Sequence, residues 1–459
     1  MRYISTRGQC PAVDFETAVM TGLAPDGGLY VPERFPTLDP QTLADLRGAP
    51  FEQVAFAVLR PFVAGSLSDA ELRALVDDAW SAFRLPEVTH LRRLDGVWLL
   101  ELFHGPTFAF KDVALQLLGR LFDLFLARRE RRATVLGATS GDTGSAAISG
   151  CRGRDQLNIV ILHPHGRTSE IQRRQMTTVA DANVTNLAVR GDFDDCQRIV
   201  KALFRDADCR ERYGLSAVNS INIARVLAQV VYYVQAALAL TETPDARVDF
   251  SVPTGNFGDI LAGHWARRMG APVGRLIIAT NHNDILARTL QTGRYETHTV
   301  AQSLSPSMDI QVSSNFERLL FELAEDDAET VRGQMAALAD AGSFALSGAA
   351  LERLRAGFGA GRCDDAQTLA EIRRSFDATG ETLDPHTAVG RAVARQHLSE
   401  APMVVLATAH PAKFPSAVSE ATGRSTDTPE TLQRVMTLPE RYEVIDATEQ
   451  AVRDVLAKL

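Results

Sequence analysis

Cysteine is scarce in this chain. The five residues, Cys10, Cys151, Cys196, Cys209 and Cys363, are odd in number and scattered without paired spacing. They build neither a disulfide framework nor a zinc site, so no metal is expected and reduced thiols in the cytosol are. No stretch approaches the ~18 uninterrupted apolar residues that a membrane-crossing helix needs. The segment from Met1 to Arg7 lacks the apolar centre of a signal peptide. Basic residues are outnumbered, 48 against 57 acidic ones, for a formal net charge of -9, which argues against a general nucleic-acid binder. Internal repeats, low-complexity tracts and flexible linkers are also missing. These absences leave a soluble cytoplasmic protein with a small-molecule partner, no nucleic acid or membrane partner, and a monomeric or weakly homo-oligomeric state.

The composition, 45% hydrophobic and 23% charged over 459 residues, is that of a globular chain too long for one ordinary core. Residues 1–94 read as a mostly helical accessory domain. Asp26-Gly27-Gly28 and nearby prolines break its start into loops, whereas Phe51 to Leu59 and Asp69 to Phe83 carry apolar residues at helical spacing, the second capped by Ser68. From residue 95 apolar strands and helices alternate, which implies right-handed βαβ units and parallel sheets covered on both faces. Two α/β units are expected, a smaller one over 95–220 and a larger one over 221–459. The larger carries a helical, alanine-rich insertion at about 317–374 with glycine breaks near 357–361, and Met403 to Thr408 reads as the final strand.

Lys111 stands between the aromatic-rich turn from Phe103 to Phe110 and a long apolar helix, with Asp112 beside it. Burial disfavours the ammonium form, and a neutral amine forms a Schiff base with a carbonyl, which makes this lysine a candidate nucleophile. The same stretch also fits a lysine whose stem covers aromatic rings while its head stays in water.

Two glycine loops follow strands, where α/β sheets bind ligands. The amides of Gly255, Asn256, Phe257 and Gly258 at a helix start suit a phosphate, with Asp259 opening that helix. The spacing matches neither a Walker loop nor the dinucleotide fingerprint, so a nucleotide is not the natural ligand. The second loop, Thr139 to Gly144, brings the hydroxyls of Ser140 and Thr143 and neighbouring amides to another helix start, a place for a carboxylate. A third cluster, Asn219, Ser220 and Arg225, reads either as an oxyanion grip or as helix capping with a surface arginine. An imine-forming lysine, a phosphate cradle and a carboxylate loop together describe pyridoxal-phosphate chemistry on an amino acid, and the extra anion site implies a phosphorylated substrate.

The ordered motifs Gly27 to Pro32, His104 to Thr107 with Phe110-Lys111-Asp112, Thr139 to Gly144, Gly191 to Cys196, Asn219 to Arg225, Pro253 to Asp259, Ser307-Met308-Asp309, Asp384 to Val389 and Thr408 to Phe414 resemble those of the threonine synthases. That family belongs to the tryptophan-synthase-β-like group of pyridoxal-phosphate enzymes, fold type II. The resemblance implies pyridoxal 5'-phosphate carried on Lys111, its phosphate held by Gly255, Asn256, Phe257, Gly258 and Asp259, and its ring nitrogen facing Thr408. It places the substrate carboxylate at Ser140, Asp142 and Thr143 and the substrate phosphate at Asn219, Ser220 and Arg225. The implied reaction is β,γ-replacement, turning O-phospho-L-homoserine and water into L-threonine and phosphate, the last step of threonine biosynthesis. Another fold type II lyase, such as a serine/threonine dehydratase or a phospholyase, and a non-catalytic cofactor-binding protein are the alternatives.

Overall fold

Two sheets carry the chain, and their strand orders show how it is wound. In the computed structural model, which describes residues 1–139, 141–243 and 245–459, a six-stranded sheet runs Phe358–Arg362, Val273–Thr280, Val248–Pro253, Met403–Ala407, Val97–Glu101, His90–Leu94. All neighbours are parallel except the last pair. A five-stranded parallel sheet runs Glu443–Asp446, Val184–Arg190, Leu157–Pro164, Ala133–Ala138, Leu215–Ser216. The central strands, such as Val248–Pro253, are buried on both faces, as parallel sheets under helical cover require. The α/β class with a helical N-terminal region is therefore observed.

The sheets cross the unit boundaries that the sequence pattern implies. His90–Leu94 and Val97–Glu101 join the larger sheet, although they precede the smaller unit's strands or open its range. Glu443–Asp446 and the helix Glu449–Leu456 return to the smaller sheet, so Met403–Ala407 is not the final strand. The glycine-rich break in the expected insertion is the edge strand Phe358–Arg362. Glycine serves there because space is short: a Cβ on Gly359 would lie 2.8 Å from the Ile277 side chain, and one on Gly361 2.6 Å from Val393. Alternation along the chain reports that βαβ units exist, but not which sheet each strand joins.

The N-terminal region pairs Tyr3–Ser5 with Tyr30–Pro32 and packs the helices Phe51–Val63 and Asp69–Ala79 over the core. Ser68 caps the second, completing a box with Glu71. More central to function is the helix Lys111–Arg128, buried along nearly its whole length. It crosses the helix Asp142–Cys151 at glycines: a Cβ on Gly119 would sit 2.1 Å from the Gly150 carbonyl oxygen, and one on Gly150 2.3 Å from that of Leu115. This backbone contact fixes the start of one helix, Lys111, relative to the start of the other, Asp142.

Candidate active site

Strand ends and helix starts from both sheets meet around a cleft of about 720 Å³. Lys111, Gly141, Asp142, Thr143, Asn219, Ser220, Arg225, the turn from Gly255 to Asp259, and Thr408 all line it. The structure thus brings together the described residues singled out from the sequence. Ser140 lies outside the described residues.

Lys111 opens its helix directly after the turn from Gly105 to Phe110. Asp112 holds that turn through the Thr107 amide and hydroxyl, both donating at 2.7 Å. The Lys111 ammonium reaches the Ser307 hydroxyl at 3.4 Å and lies 3.9 Å from an Asp142 oxygen. Burial pulls its pKa down to about 8 against the pull of Asp142, and Lys413 and Arg225 push in the same direction as burial. The Schiff-base lysine anticipated from the sequence is therefore a buried one.

At the next corner, four consecutive backbone amides, Gly255 to Gly258, donate to no protein group among the described residues. Their carbonyl side is held instead: the Ser313 hydroxyl donates to Gly255 at 2.6 Å, and the Asn315 amide and side chain donate to Asn256, both at 3.0 Å. Phe257 takes a left-handed conformation, φ 62°, unusual for a residue with a side chain. A Cβ on Gly255 would lie 2.7 Å from the Ser307 carbonyl oxygen, so only glycine fits. Free amides at a helix start, behind a turn with no room for a side chain, fit a phosphate.

Asp259 follows in that helix. The hydroxyls of Tyr232 and Tyr233 donate to its Oδ1 at 2.6 and 2.9 Å, while its buried Oδ2 has no partner among the described residues. Burial pushes its carboxyl up to about 6, against the two tyrosines. Across the cleft, Arg225 is only 6% exposed, and no acceptor meets its guanidinium among the described residues. Burial alone pulls it down to about 10. Asn219 accepts from the Ile221 amide at 3.1 Å and the Ser220 carbonyl accepts from Asn315 at 3.0 Å, so this rim is braced while the Arg225 guanidinium stays free. The capping role goes to Asn222, which accepts from the Ala224 amide at 3.1 Å; Arg225 is not on the surface.

Thr408 follows the strand Met403–Ala407, its carbonyl accepting from the Phe110 amide at 2.8 Å. Its hydroxyl, like that of Thr143, has no protein partner among the described residues. Asp142 is strongly engaged: the Lys413 ammonium donates to its Oδ1 at 2.6 Å and Gln172 to the same atom at 3.0 Å. Burial would raise this carboxyl, but the Lys413 and Lys111 ammoniums outweigh it and hold it well below the usual carboxylate range.

His386 and Gln172 also line the cleft, with no site role in the sequence reading. His386 donates from Nδ1 to Asp384 at 2.9 Å and accepts at Nε2 from the Ser307 amide at 3.3 Å. That ring bridges a helix start to the turn beside Lys111. Gln172 belongs to a helix from another βαβ unit. The Asp384-Pro385-His386 run signals a capped helix start with proline in its first turn; nothing in it shows that the ring turns toward the cleft.

Sequence models of known families cover most of the chain. "Threonine synthase N terminus" matches residues 2–80, "Pyridoxal-phosphate dependent enzyme" residues 81–350, and "Threonine synthase, C-terminal" residues 387–456. A threonine synthase of Pseudomonas aeruginosa is 52% identical, covering 92% of this chain and 90% of its own. The crystal structure of a PLP-bound threonine synthase from Brucella melitensis superimposes with a TM-score of 0.98 at 50% identity, covering 100% of this chain and 99% of that one. The yeast threonine synthase structure superimposes with a TM-score of 0.95 at 42% identity, with coverage of 100% and 99%.

Proposed function

This chain belongs to the threonine synthases, and from that premise we propose which of its residues do the work. The reaction is the pyridoxal-phosphate-dependent conversion of O-phospho-L-homoserine and water to L-threonine and phosphate. The observation that carries the assignment is the meeting, in one cleft, of a buried lysine, four unengaged amides and a buried arginine without an acceptor.

Lys111 is the residue that holds the cofactor. The amides of Gly255, Asn256, Phe257 and Gly258 take its phosphate, Asp259 braces that loop, and Thr408 offers a neutral hydroxyl to its ring. When bound, pyridoxal phosphate supplies an electron-withdrawing ring that stabilises negative charge developing next to the substrate amine.

The amides of Asp142 and Thr143, which have no partner among the described residues, and the Thr143 hydroxyl receive the substrate carboxylate at a helix start. The family resemblance assigns Ser140 to the same grip. Arg225, with Asn219 and Ser220, binds the substrate phosphate and stabilises the dianion that departs from Cγ. Lys111, once exchanged for the substrate amine, is a neutral base. It takes the proton from Cα and then one from Cβ as phosphate leaves Cγ, and protons return to Cγ and Cα as water adds its hydroxyl at Cβ.

The five unpaired cysteines support a cytoplasmic location, and no helix among the described residues is long and apolar enough to cross a membrane.

The test is borohydride reduction of the purified protein, peptide mapping of the adduct, and product analysis with O-phosphohomoserine. The expected outcome is a reduced adduct on Lys111 and threonine as product. An adduct elsewhere removes Lys111 from the role; 2-oxobutyrate instead of threonine makes the chain an eliminating enzyme. Lys111→Ala is expected to lower turnover by at least ~10³-fold, the scale on which nucleophilic groups act.

A further inference from the structure

Two buried lysines approach a single carboxylate. Lys413 sits in the short turn Pro411–Lys413, its side chain fully buried. It donates to Asp142 Oδ1 at 2.6 Å and to the Thr107 carbonyl at 2.8 Å. Lys111 comes no nearer to Asp142 than 3.9 Å, at the other oxygen. We propose that Lys413 is a positioning residue for the cofactor lysine: it occupies Asp142, the nearest ionised carboxylate to the Lys111 amine, and so leaves that amine free to react. The inference rests on the assignment of Lys111 as the cofactor lysine.

A buried carboxylate facing one lysine would hold it as an ammonium in an ion pair, and an ammonium cannot attack an aldehyde. Here the shorter contact goes to the lysine that does no chemistry. Gln172 adds a second donor to the same oxygen at 3.0 Å. Asp112, the carboxylate next to Lys111 on its own helix, has both oxygens engaged by Thr107. The remaining charges that act on Lys111 or Asp142 are Arg225 on the helix Ile223–Ala239, Asp259 on the helix Gly258–Arg268, and His386. Arg225 repels the Lys111 ammonium, and Asp259 attracts it from behind two tyrosines. The Thr107 turn joins the two lysines mechanically, since it anchors Asp112 with one end and receives Lys413 with the other.

The experiment uses full-length protein stripped of cofactor. Trace acetylation across pH, with the Lys111 peptide quantified by mass spectrometry, reads the midpoint at which that amine becomes reactive. In the parent protein it is expected near pH 8. Lys413→Gln strands Asp142 and hands it to Lys111. The Lys111 midpoint is then expected to rise by about one unit or more, roughly a tenfold loss of reactive amine at neutral pH. Lys413→Arg keeps the charge and is expected to restore the parent midpoint. A Lys413→Gln protein that loses cofactor affinity while its Lys111 midpoint stays put gives Lys413 a purely structural role and overturns the proposal.

Should Lys413→Gln fail to fold, Asp142→Asn tests the same competition with no stranded anion. An unslowed or faster Lys111, with a lowered midpoint, supports the proposal. A slowed Lys111 makes Asp142 a partner it needs, and overturns it. Borohydride mapping of the cofactor-loaded parent is read separately. An adduct on a lysine other than Lys111 defeats the functional assignment, whatever the acetylation profiles show.

Discussion

The two ends of the cleft offer an anion different donors: the backbone amides from Gly255 to Gly258 at one, the side chain of Arg225 at the other. The first site uses donors that cannot lose a proton and cannot swing away, because Ser313 and Asn315 hold the carbonyl side of the turn. It suits a group that stays bound through every turnover. The second uses one guanidinium on a helix, buried at a cost in desolvation. It suits a group that arrives, leaves, and carries more charge on leaving. Under the proposed assignment, resident and departing phosphates ask for different materials, and the two ends of the cleft offer them.

Substitutions that damage one end and spare the other test this contrast. Arg225→Ala removes a bidentate, charge-assisted contact of about 3–4 kcal/mol in total. The KM for O-phosphohomoserine should rise about 10²–10³-fold with cofactor content unchanged; equal loss of both would erase the distinction. Gly255→Ala attacks the other end. Its Cβ would lie 2.7 Å from the Ser307 carbonyl, a backbone clash worth about 1–3 kcal/mol. Cofactor affinity measured by equilibrium titration should fall about ten- to a hundredfold, while KM at saturating cofactor moves little.

A pH-dependent effect sharpens the account of the loop's foundation. Asp259 has its folded pKa raised by burial to about 6 from 3.8. Between those values the folded state holds a proton that the unfolded state has released, so stability falls as pH rises from about 4 through 6. Asn in place of Asp259 cannot ionise. The stability of Asp259→Asn relative to the parent should therefore improve with pH over that window, by as much as about 3 kcal/mol. Thermal or denaturant unfolding at pH 4 and pH 7 reads the difference, and a pH-independent gap would show that Asp259 is not held protonated.

Much of the candidate site was legible in the sequence because its parts announce themselves locally. A glycine-rich turn between an apolar strand and a helix reads as an anion loop, and a lone lysine at the head of an apolar helix reads as a desolvated amine. Arg225 was ambiguous, since capping and gripping share the same residue types; its burial, with no acceptor among the described residues, removes the surface reading. His386 and Gln172 were illegible as site residues. Their side chains reach the cleft from elements far along the chain, and helical spacing does not say which face a helix turns toward another unit.

The sequence by itself determined the α/β class, the two glycine loops, the lysine at its helix start and the family. Each depends on local pattern: periodicity, glycine at turns, and charge near helix ends. Tertiary structure alone decided that the strand Val97–Glu101 joins the larger sheet and Glu443–Asp446 the smaller. It also decided that Asp142 belongs to Lys413 before Lys111. Strand partnership and the choice between two lysines are settled by a few ångströms across elements hundreds of residues apart, and one-dimensional pattern carries no such distance.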